Sequence, residues 1–272
     1  MAQTGMTPID LLVSDIDGTL VRDDKSLSET VIAAVARLQA AGKAITLVSS
    51  RPPRALLPLV QRLGIQQPVA GFNGGNLVQA DGSLIRAHRL AEDVTRQVLE
   101  RLEREAFEVW LFADDLWLTR DPEGPYVPRE TRALGYGPTV VDSFEPYLDR
   151  VDKIVAAGSD HAGLEALEGE LGERLGEGAT VLRSQLYYLD ITHPKANKGD
   201  ALIELAQAAG VPVARTAAIG DGSNDVPMFR QAGLAIAMGQ AGVAVREAAD
   251  QVTTSNQEDG VAVAIDRWIL GS

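Results

Sequence analysis

Residues 11–20 are Leu-Leu-Val-Ser-Asp-Ile-Asp-Gly-Thr-Leu, an apolar run that ends in two acids and a Gly-Thr turn. The apolar part is typical of a buried strand. Because side chains alternate between the two faces of a strand, Asp15 and Asp17 are expected to leave its end on the same side. Two carboxylates this close repel each other unless a cation lies between them. The pattern therefore predicts that both acids share a metal ion and a reacting group.

A second strand end of the same kind lies about two hundred residues downstream, where residues 217–225 are Ala-Ala-Ile-Gly-Asp-Gly-Ser-Asn-Asp. In an open parallel sheet, ligands bind outside the carboxyl ends of the strands, so the two segments can meet at one site. Asp15, Asp17 and Asp221 would then form an oxygen-rich cluster of the kind that Mg²⁺ prefers. The sequence thus predicts a magnesium site built from both ends of the chain.

Strands and helices alternate in both flanking parts of the chain, which predicts a doubly wound, Rossmann-like parallel sheet. A capping-box pattern at Ser26 and Glu29 predicts a helix that runs to Ala41. Asp81-Gly82 predicts a hairpin and a departure from the parallel sheet. The middle of the chain predicts an inserted α/β cap domain, with a loop-rich, proline-containing segment over 121–150. The expected domains are a first core part at 1–82, a cap at 83–186 and a second core part at 187–272.

The motifs resemble those of the haloacid dehalogenase-like superfamily. Residues 15–20, Asp-Ile-Asp-Gly-Thr-Leu, look like motif one, and residues 220–225, Gly-Asp-Gly-Ser-Asn-Asp, look like the last motif. Ser49 stands in the hydroxyl position of motif two, and Lys198-Gly199 is similar to motif three. The long insert between motifs two and three resembles the Cof-like sugar-phosphatase branch. Residues 72–75 and 254–261 support this branch.

The resemblance implies a Mg²⁺-dependent phosphatase that works through an aspartyl-phosphate. Asp15 would attack phosphorus, and Asp17 would protonate the leaving alcohol and then deprotonate water. Ser49 would hold a phosphoryl oxygen, and Lys198 would offset the charge that develops on the phosphoryl group. Asp15, Asp17 and Asp221 are the expected metal ligands, with Asp17 acting through its backbone carbonyl. The predicted substrate contacts are Ser50, Arg51, Asn73, Gly74 and Asn224, with supporting roles for Asp225 and Gly220.

One predicted role has a rival residue, and the chain departs from the family pattern at two places. Lys195 is a rival for the role of Lys198, which is preferred because Gly199 and a helix follow it. Motif two more often has Thr-Gly-Arg in this branch, whereas this chain has Ser49-Ser50-Arg51. The branch often has Asn-Ala where this chain has Gln240-Ala241, which leaves a polar contact from position 240 open.

Composition excludes several other classes of protein. The chain has 272 residues, 45% of them hydrophobic, and a net charge of −13. Such an acidic chain lacks the cationic surface that nucleic acids and anionic membranes require. It has no cysteine, which excludes disulfides and thiol nucleophiles. The N-terminus does not resemble a signal peptide, and no run of about 18 apolar residues occurs. We therefore expect a cytoplasmic protein, a monomer or small homo-oligomer, that acts on a small phosphate ester.

Three functions remain open from the sequence: a phosphatase, a phosphomutase or phosphotransferase of the same chemistry, and a catalytically idle sensor of a phosphorylated ligand. Asp17 favours the phosphatase, because it can activate water. Substrate choice is expected to come from the cap. Its aromatic residues and two arginines are candidates for pocket residues, although cap core and solvated surface are the alternatives: Trp110, Phe112, Trp117, Tyr126, Tyr187, Tyr188, Arg129 and Arg132.

Overall fold

The computed structural model describes residues 8–271. They divide into two compact units, one made of residues 8–85 and 197–271 and the other of residues 86–196. The second unit starts at residue 86 and ends at residue 196, whereas the predicted cap starts at 83 and ends at 186. None of the helices described here is both long and apolar enough to cross a membrane.

The elements alternate as the sequence predicts over most of the chain. The strands, in chain order, are β1 (Leu11–Ser14), β2 (Ala44–Leu47), β3 (Val69–Gly71), β4 (Asn76–Val78), β5 (Leu84–Ala87), β6 (Glu108–Ala113), β7 (Leu116–Thr119), β8 (Thr139–Val140), β9 (Val151–Ala157), β10 (Thr180–Gln185), β11 (Tyr188–Thr192), β12 (Thr216–Gly220), β13 (Leu234–Ala237) and β14 (Gln251–Val252). The α-helices are α1 (Glu29–Ala40), α2 (Pro53–Leu63), α3 (Glu92–Leu102), α4 (Val127–Leu134), α5 (His161–Leu175), α6 (Lys198–Ala208), α7 (Val226–Phe229), α8 (Val243–Glu247) and α9 (Gly260–Ala264).

The first unit contains a parallel five-stranded sheet in the order β14-β13-β12-β1-β2. Its strands β1, β12 and β13 are fully buried, and their apolar side chains pack in two separate cores. Leu12 packs in the core that contains α1, α2 and α9, whereas Leu11 and Val13 pack in the core with α6, α7 and α8. The doubly wound fold is thereby confirmed.

The strand order places the predicted motifs at one point of this sheet. The chain progresses from β1 to β2 in one direction and from β12 through β13 to β14 in the other. β1 and β12 are direct neighbours, with Ser14 opposite Ile219. The carboxyl ends of these two strands therefore form the crevice where an open α/β sheet binds its ligands.

The hairpin predicted around Asp81-Gly82 lies between β4 and β5. The Gln79 N–H donates to the Ser83 carbonyl across the turn. β3, β4 and β5 form a separate three-stranded sheet.

The second unit has its own six-stranded sheet in the order β10-β11-β9-β6-β7-β8. Apolar residues of α3 and α5 pack with one face of this sheet in a third core. β11 pairs with both β9 and β10. Residues 188–192 are thus part of the inserted sheet, although the sequence analysis assigns them to the second core part.

Two local predictions are wrong in detail. Ser28, not Ser26, caps α1, because its hydroxyl accepts the Val31 N–H. The segment predicted to be loop-rich contains α4, which has a proline in its first turn and ends at Gly135 in the left-handed conformation. Proline inside the first turn and glycine just past the last are the ordinary signals of a short helix, and they are present in the sequence.

Candidate active site

A buried lysine joins the two strand ends. Lys198 is the first residue of α6, whose start is fixed by Asn197, since this side chain accepts the Asp200 N–H. The Lys198 Nζ lies 2.5 Å from Asp15 Oδ1 and 2.6 Å from Asp225 Oδ1. The lysine and Asp225 side chains are each 1% exposed. Of the two rival lysines, the structure brings Lys198 to the acids, whereas Lys195 is exposed.

Burial and neighbouring charges together raise the pKa values of both Asp15 and Lys198. Burial raises the pKa of Asp15 well above its usual range, the Lys198 ammonium lowers it, and the Asp225 and Asp221 carboxylates raise it again. Burial lowers the pKa of Lys198, but the charges of Asp15 and Asp225 outweigh this and hold it above its ordinary value. These shifts favour the charged form of Lys198, and a further cation beside Asp15 would favour the ionised form of its carboxyl group.

Asp221 faces Asp15 from the end of β12 and contacts the Gly-Thr turn within motif one. The Thr19 hydroxyl donates to Asp221 Oδ1 over 3.0 Å. Gly18 has a φ of +79°, and a Cβ at this position would lie 2.3 Å from Asp221 Oδ2. Only glycine fits both this conformation and this close approach. Burial and the Asp225 charge raise the pKa of Asp221 to about 6, although the Thr19 hydrogen bond lowers it.

The carboxylates at this crevice fit a divalent cation. Asp15, Asp221 and Asp225 each offer an oxygen within 4.8 Å of the others. Asp225 already uses both oxygens, because Oδ1 accepts from Lys198 and Oδ2 accepts the backbone N–H groups of Asp221 and Gly222. Asp15 and Asp221 each accept one side-chain hydrogen bond, so they keep more of their oxygen lone pairs for an ion than Asp225 does. Hard oxygen donors of this kind suit Mg²⁺ and related ions.

Asp17 does not point its carboxylate into this cluster, contrary to the expectation that it shares a partner with Asp15. Arg51 Nε lies 2.6 Å from Asp17 Oδ2, and Arg51 Nη2 lies 2.7 Å from Asp17 Oδ1. Lys25 Nζ also lies 2.7 Å from Asp17 Oδ1. Burial raises the pKa of Asp17, but the hydrogen bonds and charges of Arg51 and Lys25 prevail and lower it to about 2. Asp17 is consequently ionised in this arrangement.

The residues of motif two follow β2. Ser49 is buried, and its Oγ accepts the backbone N–H of Arg51 over 3.2 Å. A hydroxyl that accepts at its oxygen keeps its proton for a donor bond, so Ser49 still suits a phosphoryl oxygen. Ser50 is half-buried beside it.

The remaining predicted residues form the rim and the support of the crevice. The Asn224 side-chain amide donates to Asn73 Oδ1 over 3.2 Å. Gly74 lies next to α6, and a Cβ there would approach Ala201 to 2.7 Å. A Cβ at Gly220 would lie 2.3 Å from Asp225 Cγ, so this glycine lets Asp225 fold beneath the strand end.

One contact of motif one, from Lys25, is missing from the sequence prediction, and a second, from position 240, is left open there. Lys25 stands in a charged loop, Arg22-Asp23-Asp24-Lys25, where nothing in the residue pattern singles it out. Gln240 does make a polar contact, because its amide donates to the Gly18 carbonyl and accepts the Asn256 N–H. The longer glutamine thus bridges the motif-one turn and the C-terminal segment.

Comparisons with known proteins agree with this geometry. A family model described as haloacid dehalogenase-like hydrolase matches residues 12–265. An HMP-PP phosphatase of Escherichia fergusonii is 30% identical over 234 residues, which are 85% of this chain and 84% of that protein. A putative phosphatase of Haemophilus influenzae is 26% identical, covering 93% of this chain and 95% of its own. A crystal structure of a haloacid dehalogenase-like hydrolase from Bacteroides thetaiotaomicron has a TM-score of 0.88 and 30% identity, covering 95% of this chain and 99% of that one.

Proposed function

Because the chain belongs to the haloacid dehalogenase-like hydrolase family and is a phosphatase, we propose that it uses Mg²⁺ to hydrolyse small phosphorylated metabolites of the sugar-phosphate type. The family resemblance predicted from the motifs is confirmed. Phosphatases of this superfamily use a divalent metal, and the acidic cluster at β1 and β12 fits one. We also propose that the discontinuous unit is the catalytic core and that residues 86–196 are the cap domain.

The observation that carries the proposal is the Lys198 ammonium, buried between Asp15 and Asp225. Lys198 occupies only one oxygen of Asp15. The other oxygen remains for attack on phosphorus. Because Lys198 is buried, its ammonium is already oriented before substrate binds. Little reorganisation is then needed when charge develops on the phosphoryl oxygens.

The first half of the proposed reaction forms a bond between the Asp15 carboxylate and phosphorus while the bond from phosphorus to the leaving oxygen breaks. Asp17 gives its proton to that oxygen. Asp17 is ionised while Arg51 and Lys25 contact it. A phosphate group that draws Arg51 away would raise the pKa of Asp17, so that Asp17 takes up a proton from solvent before it gives this proton to the leaving oxygen.

In the second half, Asp17 takes a proton from water as the water oxygen attacks phosphorus. The bond between Asp15 and phosphorus breaks, which releases phosphate and restores the Asp15 carboxylate. Asp15 and Asp221 would be the side-chain ligands of a divalent ion, which would supply positive charge to offset that of the reacting groups. With all groups ionised, the site has a net charge of −1, because its four carboxylates (Asp15, Asp17, Asp221 and Asp225) face three cations (Lys25, Arg51 and Lys198). A divalent ion would make the net charge positive and the site attractive to an anionic substrate.

The test is phosphate release from a panel of sugar phosphates and other phosphate monoesters, with and without Mg²⁺. Wild type and Asp15→Asn are compared side by side. We expect Mg²⁺-dependent release that Asp15→Asn abolishes while its folded secondary structure is retained. Full activity of Asp15→Asn would contradict the nucleophile assignment. Transfer of the phosphoryl group to an added alcohol in preference to water would favour the phosphotransferase alternative.

A further inference from the structure

Lys25 lies in a loop that is held rigidly although it is exposed. The Arg22 N–H donates to the Ser26 carbonyl, and the Lys25 N–H donates to the Arg22 carbonyl, each over 2.9 Å. The buried Asn256 amide donates to the Val21 carbonyl and to Asp23 Oδ1. The loop is therefore closed on itself and also tied to the C-terminal segment.

At the tip of this loop, Lys25 has a φ of +69°. Residues with a Cβ rarely adopt this left-handed conformation, and they keep it only where the surrounding structure imposes it. A glycine or asparagine would relieve the backbone. The strained lysine extends its ammonium to Asp17 Oδ1, so the local conformation is linked to a contact in the candidate active site.

Asp17 is held by two cations of different accessibility. Arg51 makes two hydrogen bonds to the carboxylate and is 12% exposed, whereas Lys25 makes one and is 44% exposed. Arg51 is also the proposed phosphate contact. When its guanidinium turns to a phosphoryl oxygen, it gives up one or both bonds to Asp17, and Lys25 remains as the donor on Oδ1.

We propose that Lys25 is a positioning residue that holds the Asp17 carboxyl group in place while Arg51 binds the phosphate of the substrate. This inference rests on the proposed roles of Asp17 and Arg51. An exposed ion pair alone contributes little to stability. The value of Lys25 lies in orientation, because a small displacement of a proton-transferring group lowers turnover far more than it lowers substrate binding.

The experiment compares wild type with Lys25→Met, Lys25→Arg and Lys25→Gly at saturating Mg²⁺. It measures kcat and KM for a phosphate ester that wild type hydrolyses, the inhibition constant of inorganic phosphate, and the midpoint of thermal unfolding. For Lys25→Met we expect kcat to fall about 10- to 100-fold, with KM and the phosphate inhibition constant within about twofold of wild type. Lys25→Arg should restore most of kcat.

Lys25→Gly separates positioning from folding. It removes the ammonium and relieves the positive φ, so kcat should be as low as in Lys25→Met while the unfolding midpoint is equal to or above that of wild type. Asp115→Gly is the matched control, since Asp115 has a φ of +63° in the turn between β6 and β7. It should raise the midpoint without changing kcat.

Two results would overturn the inference. An unchanged kcat in Lys25→Met would show that Arg51 alone suffices, and a loss confined to KM or to phosphate inhibition would make Lys25 a phosphate ligand. A failure of the proposed function is distinct from both, because wild type itself would then release no phosphate from any ester.

Discussion

Replacing Lys198 with methionine removes the ammonium that Asp15 and Asp225 share and keeps a side chain of similar length. The lysine side chain is 1% exposed, and those of Asp15 and Asp225 are 7% and 1% exposed. Removing one partner of such a buried pair costs about 3–5 kcal/mol, because the remaining charge is left without compensation. We expect a loss of this size in the free energy of unfolding of the metal-free protein at pH 8.

The loss should depend on pH with a definite sign. Without Lys198, burial and the charges of Asp225 and Asp221 hold the pKa of Asp15 above that of the unfolded chain. A raised pKa in the folded state gives stability that is present at low pH and is lost as pH rises through the folded value. Lys198→Met should therefore be much closer to wild type in stability at pH 5, where Asp15 accepts a proton, than at pH 8.

The assay is urea denaturation with a chelator present, at pH 5 and pH 8, for wild type, Lys198→Met and Lys195→Met. Lys195 is exposed, so its variant controls for the loss of one lysine charge and should stay within about 0.5 kcal/mol of wild type. A Lys198→Met variant within about 1 kcal/mol of wild type at pH 8, or equal losses at both pH values, would refute the argument from a buried ion pair. In the phosphatase assay, Lys198→Met should also lower kcat by about 10²- to 10³-fold.

Three further predictions concern the same unit. The pKa of Asp221 is raised to about 6 and that of Asp15 lies above its usual range, so a divalent ion has to displace protons from these carboxyls at low pH. The affinity for the ion should therefore rise from pH 5 to pH 8. Calorimetry in two buffers of different ionisation enthalpy detects the released protons. Gly18→Ala forces a Cβ to within 2.3 Å of Asp221 Oδ2 at a φ of +79°. Mn²⁺ binding should therefore weaken by about 10- to 100-fold, as when other groups that orient metal ligands are changed. Unchanged binding in a titration would contradict the close approach. Ser28→Ala removes the cap that accepts the Val31 N–H. It should lower the free energy of unfolding by about 1 kcal/mol without changing kcat. Ser26→Ala is the control and should lower the free energy of unfolding by less, because Ser28 is the cap.

The places of Asp15 and Asp221 follow from a local signal in the sequence, and that of Lys198 follows from its similarity to motif three. An apolar strand ending in acids places carboxylates at the carboxyl edge of a sheet wherever the strand lies. The motif order then indicates which strand ends meet. Only the backbone pairing of β1 with β12 had to be added, and the fold class already implied it.

The sequence does not show which charged side chains pair with each other, because this pairing depends on distances between segments that are remote in the chain. Asp17 lies 34 residues from Arg51 and eight from Lys25 in the chain. Because β1 ends at Ser14, the alternation of side chains along a strand does not place the Asp17 side chain relative to that of Asp15. Asp225 takes the place next to Lys198 because two backbone N–H groups hold its carboxylate there. The residue pattern thus indicates which acids reach the site, whereas the packing of loops from both ends of the chain determines which cation each acid contacts.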